Sequence, residues 1–141
     1  MDIRPVPDGF HTVTPYMTIR DVPEYVRFLE RAFGATEGDR ILNAQGQVMY
    51  THVIIGDSRV MLGEAMGRPA SSSAFHLYVG DTDAHYQQAI AAGAASLVAP
   101  ADQFYGDRTA GVRDPWGTIW WIATRMREVP VKEAARIAAQ R

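Results

Sequence analysis

The sequence contains no cysteine, which excludes disulfide bonds, thiolate nucleophiles and zinc–thiolate sites from its chemistry. It has no apolar run near the roughly 20 residues that a membrane-spanning helix needs. Charges of one sign do not cluster and the formal net charge is −2, so neither nucleic acid nor a membrane is favoured as a partner. The opening residues, MDIRPVPDGF, lack the apolar region of a signal peptide. We therefore expect a cytoplasmic protein.

The chain does have the length and the apolar content for a real core. Its 141 residues suit one domain, and a hydrophobic fraction of 47% with 21% charged residues is ordinary for a globular protein. Composition thus indicates a single globular domain, and any inference about function must come from sequence motifs.

The stretch from Gln103 to Thr124, QFYGDRTAGVRDPWGTIWWIAT, carries most of the information. Its beginning, which holds two aromatic residues and a charged pair beside a glycine, predicts an irregular loop. Arg113–Gly117 (RDPWG) predicts a tight turn, because Pro presets φ and Gly tolerates a positive φ. The Thr, Ile and Trp residues from Thr118 onward favour a largely buried strand.

The remaining elements follow from similar patterns. Runs of β-branched and aromatic residues predict strands, although Pro15 should interrupt the first of them. Asp21 and Asp81 are predicted helix N-caps, and Gly34 and Gly93 are predicted helix ends. The predicted strands cover residues 10–19, 39–42, 48–55, 60–64, 74–79 and 95–99, and residues 65–73 are predicted to form a loop.

The two halves of the chain resemble each other. YMTIRDVPEYVRFLERAFGA in the first half matches HLYVGDTDAHYQQAIAAGA in the second. This predicts an α+β domain over residues 1–141, built from two βαβββ repeats at about 10–64 and 74–125, plus a C-terminal helix at about 130–141. One such repeat cannot bury its sheet and helix alone. We expect the pair to form a curved mixed sheet with outer helices and a central cleft.

This paired repeat resembles the vicinal oxygen chelate superfamily, which includes glyoxalase I, fosfomycin-resistance proteins, extradiol dioxygenases and bleomycin-binding proteins. The resemblance covers roughly residues 10–127. Its most specific pieces are TPYMTIRDVPEYVRFLERAFGA, VMYTHVIIGDSRVML, FHLYVGDTDAHYQQAIAAGA and DQFYGDRTAGVRDPWGTIWWIAT. They look like the PhnB-like branch. One fold in this superfamily serves isomerases, transferases, oxygenases and binding proteins, so the resemblance alone implies no single activity.

The resemblance also implies where a divalent metal would be chelated. The family's ligand positions fall at Thr14, at Ala74, at Trp121 and near Met61 or Leu62, with a register uncertainty that admits Glu64. Ala, Trp, Met and Leu are poor or impossible ligands for such an ion. We therefore expect no cofactor and no metal of the usual kind, with a divalent metal as the disfavoured alternative.

Strand alternation groups the other candidate residues of the cleft. His76 shares a face with Ala74, His52 with Tyr50, and Tyr16 with Thr14. A histidine on that face is a candidate catalytic base, and the alternative is a histidine hydrogen-bonded within a partly buried sheet.

Trp121 and the loop before it supply further candidate ligand-binding residues. If Trp120 packs on the helices, Trp121 faces the cleft, where it stacks on a planar ligand or fills the volume of a lost metal site. Phe104, Tyr105 and Arg108 are predicted at the rim. The alternative for Arg108 is a salt bridge to Asp107 or Asp114 that fixes the loop.

Two functions from different classes remain open. The first is a binding protein for a small, planar or aromatic molecule, without the usual metal. The second is an enzyme of the lyase, isomerase or dioxygenase type that uses His76, and also His52 or Glu64, as metal ligands or as acid and base. In both cases the resemblance implies a homodimer with a small-molecule ligand.

Overall fold

The structure is a computed structural model, which describes residues 4–67 and 69–141. The chain divides into two compact units, Met1–Ser72 and Ser73–Arg141. Each unit contains one of the two predicted repeats and is described by itself.

The first unit forms a mixed sheet with one face against a helix. Its strands pair in the order β1-β5-β4-β2, with β3 also beside β4; β1 is parallel to β5 and the other pairs are antiparallel. The elements are β1 (Tyr16–Ile19), α1 (Val22–Phe33), β2 (Thr36–Glu37), β3 (Ile41–Leu42), β4 (Val48–Ile55) and β5 (Ser58–Glu64).

Both ends of α1 are fixed by the residues that the sequence places there. The Asp21 side chain accepts a hydrogen bond from the Glu24 amide at 3.3 Å, which satisfies one free amide of the first turn. Glu64, at the end of β5, accepts a second from the Val22 amide at 2.8 Å. Gly34 ends the helix in the left-handed conformation. The helix then buries one apolar face, which includes Tyr25, Phe28 and Leu29.

The second unit repeats this arrangement. Its strands pair in the order β6-β9-β8-β7, with β6 parallel to β9 and the other pairs antiparallel. The elements are β6 (Ala74–Tyr78), α2 (Thr82–Ala91), β7 (Ala95–Asp102), β8 (Asp107–Arg113), β9 (Ile119–Arg125) and α3 (Val131–Ala138). Among the described residues, no helix is long and apolar enough to cross a membrane.

The Asp114 carboxylate holds the turn and the strand that follow it. One carboxylate oxygen accepts hydrogen bonds from the backbone amides of Trp116 at 2.9 Å and Thr118 at 3.0 Å. The other accepts one from the Trp120 indole N–H at 3.0 Å. Asp114 is only 2% exposed and the Trp120 ring is buried against Phe75. The predicted turn and strand are therefore joined through one buried carboxylate.

The structure confirms the α+β class, with a mixed sheet in each unit, and the βαβββ order of the second repeat. The first repeat has one further strand, since two short strands, β2 and β3, stand where one strand was predicted at 39–42. The structure also corrects three boundaries. The first strand begins at Tyr16, after Pro15, and not at Phe10. β7 continues to Asp102, and the stretch predicted as an irregular loop is a tight turn followed by strand β8. The sequence DRTAGVR hid this strand, because Asp, Arg and Gly are poor strand formers and its pairing is non-local.

We predict that Asp114→Ala destabilises the protein by on the order of 3 kcal/mol, because it leaves three buried or half-buried N–H donors without their acceptor. Chemical denaturation monitored by circular dichroism measures the change. Asp57→Ala is the matched control, since Asp57 occupies the corresponding turn of the first repeat but is exposed, and it should cost less than about 0.5 kcal/mol. Equal losses in the two variants would contradict this role of Asp114.

Candidate functional site

One face of the second sheet is open, and its exposed residues alternate along β6. Ala74, His76 and Tyr78 are exposed, whereas Phe75 and Leu77 are partly covered. On β9, Trp120 is buried and Trp121 is 37% exposed, as the sequence predicts. We call the open side the Trp121 face.

A glycine gives the Trp121 ring its position. Gly111 of β8 pairs with Trp121 of β9, and a Cβ built on Gly111 would approach the Trp121 Cζ3 atom to 2.5 Å. The indole therefore lies over the bare backbone of the neighbouring strand. Val98 of β7 and His76 of β6 continue the same row on either side. The result is a flat aromatic surface bordered by one apolar and one imidazole side chain.

The turn between β7 and β8 places Tyr105 beside this surface. The turn is closed by a hydrogen bond from the Gln103 amide to the Asp107 carbonyl at 2.7 Å. Gly106 has a φ of 105°, and its carbonyl accepts hydrogen bonds from the amides of Met126 and Arg127. A side chain on Gly106 would also meet the Arg127 carbonyl. The turn is thus attached to the end of β9, and Tyr105 cannot drift from Trp121 without breaking that attachment.

These residues surround an open depression of about 430 Å³, which we call the Trp121 depression. Three polar side chains border it together with the aromatic surface. Its lining residues are His76, Val98, Gln103, Tyr105, Thr109 and Trp121. The structure therefore brings together His76, Tyr105 and Trp121 from the sequence prediction.

A second depression, of about 450 Å³, shares Tyr105 with the first, and we call it the Asp107 depression. Its lining residues are Tyr78, Tyr105, Asp107 and Arg125. Sequence reasoning missed Tyr78, although it stands two residues after His76 on the same strand face. It also missed Val98 and Gln103, and it did not assign Asp107 and Thr109 to the site, because β8 was predicted as loop.

Arg108, which was predicted at the rim, lines neither depression and pairs with acidic side chains. Arg108 is an even position of β8 and lies on the helix side of the sheet, away from Trp121. Its guanidinium donates to the Asp83 carboxylate at 2.6 and 3.0 Å and to Asp102 at 3.1 Å. The hydrogen bonds to Asp83 have the larger effect and the one to Asp102 the smaller, and both raise the pKa of Arg108 and keep it charged. The salt bridge that sequence analysis offered as the alternative exists, but with these partners and not with Asp107 or Asp114.

Phe104 stands edge-on to Tyr105, with ring centroids 5.2 Å apart, and the Arg141 guanidinium lies 4.5 Å from the centre of its ring. This cation–π contact ties the turn to the C-terminus. Phe104 therefore packs against the Tyr105 ring and is not among the lining residues of either depression.

In the first unit, Tyr16, Tyr50 and His52 lie on one face of the sheet, as alternation predicts. Tyr16 pairs with Met61 and Met61 pairs with His52, so a single row crosses the three strands. Thr14 precedes Pro15 and lies outside the strand, and its hydroxyl donates to the His11 carbonyl at 2.9 Å. Strand alternation therefore does not extend to Thr14.

Both ring nitrogens of His52 are engaged. Arg59 Nη1 donates to His52 Nε2 at 2.8 Å, and since Arg is only a donor, Nε2 is an acceptor and the ring is neutral. The proton is then on Nδ1, which donates to the Tyr50 hydroxyl at 3.1 Å. Phe10 packs edge-on against the same ring, with centroids 5.1 Å apart. His52 thus corresponds to the structural alternative, a hydrogen-bonded histidine of the sheet.

The positions that the family resemblance assigns to metal ligands carry few suitable donors. Ala74 and Trp121 offer no suitable donor, and the Glu64 carboxylate accepts from the first amides of α1. Within residues 4–67 and 69–141, no three His, Asp or Glu side chains are grouped so that they could hold a metal ion. The residues present do not fit the chelated metal, and we derive no chemical step through one.

Comparison with known proteins agrees with this fold. The family model described as the Glyoxalase/Bleomycin resistance protein/Dioxygenase superfamily matches residues 9–122. Because the match covers most of the chain, this protein belongs to that superfamily.

The individual relatives have low sequence identity to this chain. An uncharacterised protein of Mycobacterium bovis is 29% identical over 133 residues, covering 86% of this chain and 88% of its own. TioX from Micromonospora sp. ML1 is similar in structure, with a TM-score of 0.67 and 24% identity over 81% of this chain and 99% of that one. A glyoxalase/bleomycin resistance protein/dioxygenase family enzyme from Burkholderia phytofirmans PsJN has a TM-score of 0.65 and 21% identity, over 79% and 95%. The structural likenesses show the fold alone.

We predict that His52 makes stability fall on acidification. Burial lowers the pKa of His52, the Arg59 cation lowers it further, and Asp39 and Glu37 oppose them. A histidine whose pKa is lower in the folded protein than its unfolded value of about 6.5 stabilises the fold above that pH, and the stabilisation is lost as pH falls through the folded pKa. Urea denaturation at pH 7.5 and 5.5 should show a smaller loss in His52→Gln than in the wild type. An equal loss in both proteins would contradict the neutral, engaged ring.

Proposed function

We propose that this protein binds a small, planar or aromatic molecule on the Trp121 face, without the chelated metal that the family resemblance implies. The observation that carries the proposal is the Trp121 ring, exposed at the surface of a depression and held over Gly111. We include in the proposal the PhnB-like branch and the homodimer, for which the sequence motifs are the support.

The size and lining of the Trp121 depression suit such a ligand. Its volume of about 430 Å³ lies within the range of about 300–1,000 Å³ that is usual for small-molecule sites. Stacking on an aromatic ring contributes about 0.5–1.5 kcal/mol beyond the burial of area. His76, Gln103 and Thr109 supply hydrogen-bonding groups around the ring, which fits orientation of a mostly apolar ligand.

A second candidate function is proton transfer by His76. Its ring lies against Tyr78, with centroids 4.7 Å apart, and among the described residues no hydrogen bond engages its ring nitrogens. It borders the same depression, so a bound carbonyl compound would lie within its reach. His76 differs in this respect from His52 and Glu64, whose polar side-chain atoms already have hydrogen-bond partners. Of the three residues in the enzyme hypothesis, His76 is thus the one that retains support.

The binding proposal predicts that 4-phenylbenzyl alcohol, an uncharged two-ring probe, shifts the indole N–H signal of Trp121 in ¹⁵N–¹H NMR spectra. The signal of Trp120 is the internal control, because its indole is buried and bonded to Asp114. Trp121→Ala should abolish binding. Gly111→Ala should weaken it about tenfold, since the new Cβ displaces the indole, whereas Gly80→Ala meets no atom within 4 Å and should have no effect.

Either of two results would contradict the binding proposal. One is that none of the planar probes changes the Trp121 signal. The other is that Trp121→Ala binds the probe with an unchanged dissociation constant while it keeps its fold by circular dichroism.

The proton-transfer candidate predicts that the protein accelerates exchange of the methyl protons of 4-acetylbiphenyl in D₂O. These protons are α to a carbonyl, so a positioned base removes them, and such a base typically contributes about 10²–10⁴-fold. NMR integration measures the rate, and His76→Gln should lose the acceleration while it still binds the probe. Exchange no faster than with the same concentration of imidazole would eliminate this candidate.

A further inference from the structure

We infer that the ligand of this protein is elongated and carries a cationic N–H donor group, which the Asp107 carboxylate receives while the aromatic part lies on Trp121. This inference rests on the proposed function and specifies the chemical class of its ligand.

Asp107 is a nearly buried carboxylate without a partner. The residue is 9% exposed, and its side chain lines the Asp107 depression. Its backbone carbonyl accepts from the Gln103 amide, which fixes the residue at the start of β8. Among residues 4–67 and 69–141, no hydrogen bond or ion pair engages its carboxylate. A largely covered carboxylate without a protein partner gains more from a bound cation than a fully exposed one does, because less water competes for it.

The other lining residues favour a cation as the partner. Tyr78 and Tyr105 line the depression together with the carboxylate. Aromatic rings attract ammonium groups through their negative faces, and the combination with a carboxylate suits a protonated amine.

Among the described residues that line this depression, Arg125 is the positively charged one, and it would repel a cationic ligand. It pairs with Asp107 across β8 and β9, but its guanidinium is directed to Glu128, with a hydrogen bond of 3.3 Å. Its side chain is 66% exposed, so water screens its charge far more than that of Asp107. Asp107 is the less exposed residue of the pair, and a cationic ligand is therefore favoured over an anionic one.

The strand geometry fixes the length of the ligand. Asp107 and Gly111 are four residues apart on β8, which corresponds to about 13 Å at about 3.3 Å per residue, and both lie on the Trp121 face. Tyr105 lines both depressions and so connects them. A single ring on Trp121 would not reach Asp107, whereas two rings in line with a terminal amine would.

The experiment compares three probes of the same shape. They are 4-phenylbenzylamine, which is cationic, 4-phenylbenzyl alcohol, which is neutral, and biphenyl-4-carboxylate, which is anionic. We expect the amine to bind at least about tenfold more tightly than the alcohol, because the ammonium adds a charge–charge attraction to the hydrogen bond that either group donates to the carboxylate. NMR titration at the Trp121 indole signal gives the three dissociation constants.

Two variants should change the amine affinity in opposite directions. Asp107→Asn keeps the shape of the side chain and should reduce the affinity for the amine to about that for the alcohol. Arg125→Gln removes the repulsion and should tighten amine binding. Glu133→Gln, an exposed position on α3, controls for the loss of one negative charge and should leave all three constants unchanged. Thermal unfolding confirms that each variant is folded.

The outcomes separate this inference from the proposed function. If the alcohol binds at Trp121 but the amine has no advantage, or keeps it in Asp107→Asn, the binding function stands and the inference is wrong. If the carboxylate binds most tightly and Arg125→Gln removes that preference, the ligand is anionic and the inference is overturned. If none of the three probes binds, both proposals fail.

Discussion

The buried Asp114 carboxylate is the interaction on which the second unit depends. It joins the turn after β8 to the Trp120 indole and so fixes the register in which β9 enters the sheet. Because side chains alternate along a strand, holding Trp120 inside places Trp121 outside. A slip of one residue would bury Trp121 and expose Trp120. The open aromatic surface is thus a consequence of a buried hydrogen bond on the opposite side of the sheet.

Glycines leave the space in which three ring side chains of the two sheets lie. A Cβ on Gly111 would collide with Trp121, one on Gly38 with His52 and one on Gly63 with Tyr16. In each case a ring lies over a glycine. The two repeats differ in what surrounds the ring. In the first, Arg59, Tyr50 and Phe10 engage His52. In the second, Trp121 and His76 border an open depression, which is why we assign ligand binding to the second unit.

The elements that were predicted well are those whose signals are local. The Asp21 and Asp81 caps, strand β4 and the turn before Gly117 each follow from residues a few positions apart, and the structure has them where expected. Strand β8 was missed because its residues have weak strand propensity and are held by pairing with β7 and β9. The error then carried over to the candidate site, since it concealed which residues of β8 share a face with Trp121.

By itself, the sequence determined the internal repeat, the helix caps and the alternation that places Trp121 and His76 on one face, because these features depend on neighbouring residues. Tertiary structure decided which polar groups are already engaged. Arg59 and Phe10 contact the His52 ring, and Asp83 accepts hydrogen bonds from Arg108, so both candidate residues already have protein partners. Asp107 drew attention only once its burial without a partner was known. A hydrogen bond between residues distant in the chain leaves no local pattern, so only the folded arrangement distinguishes an engaged group from a free one.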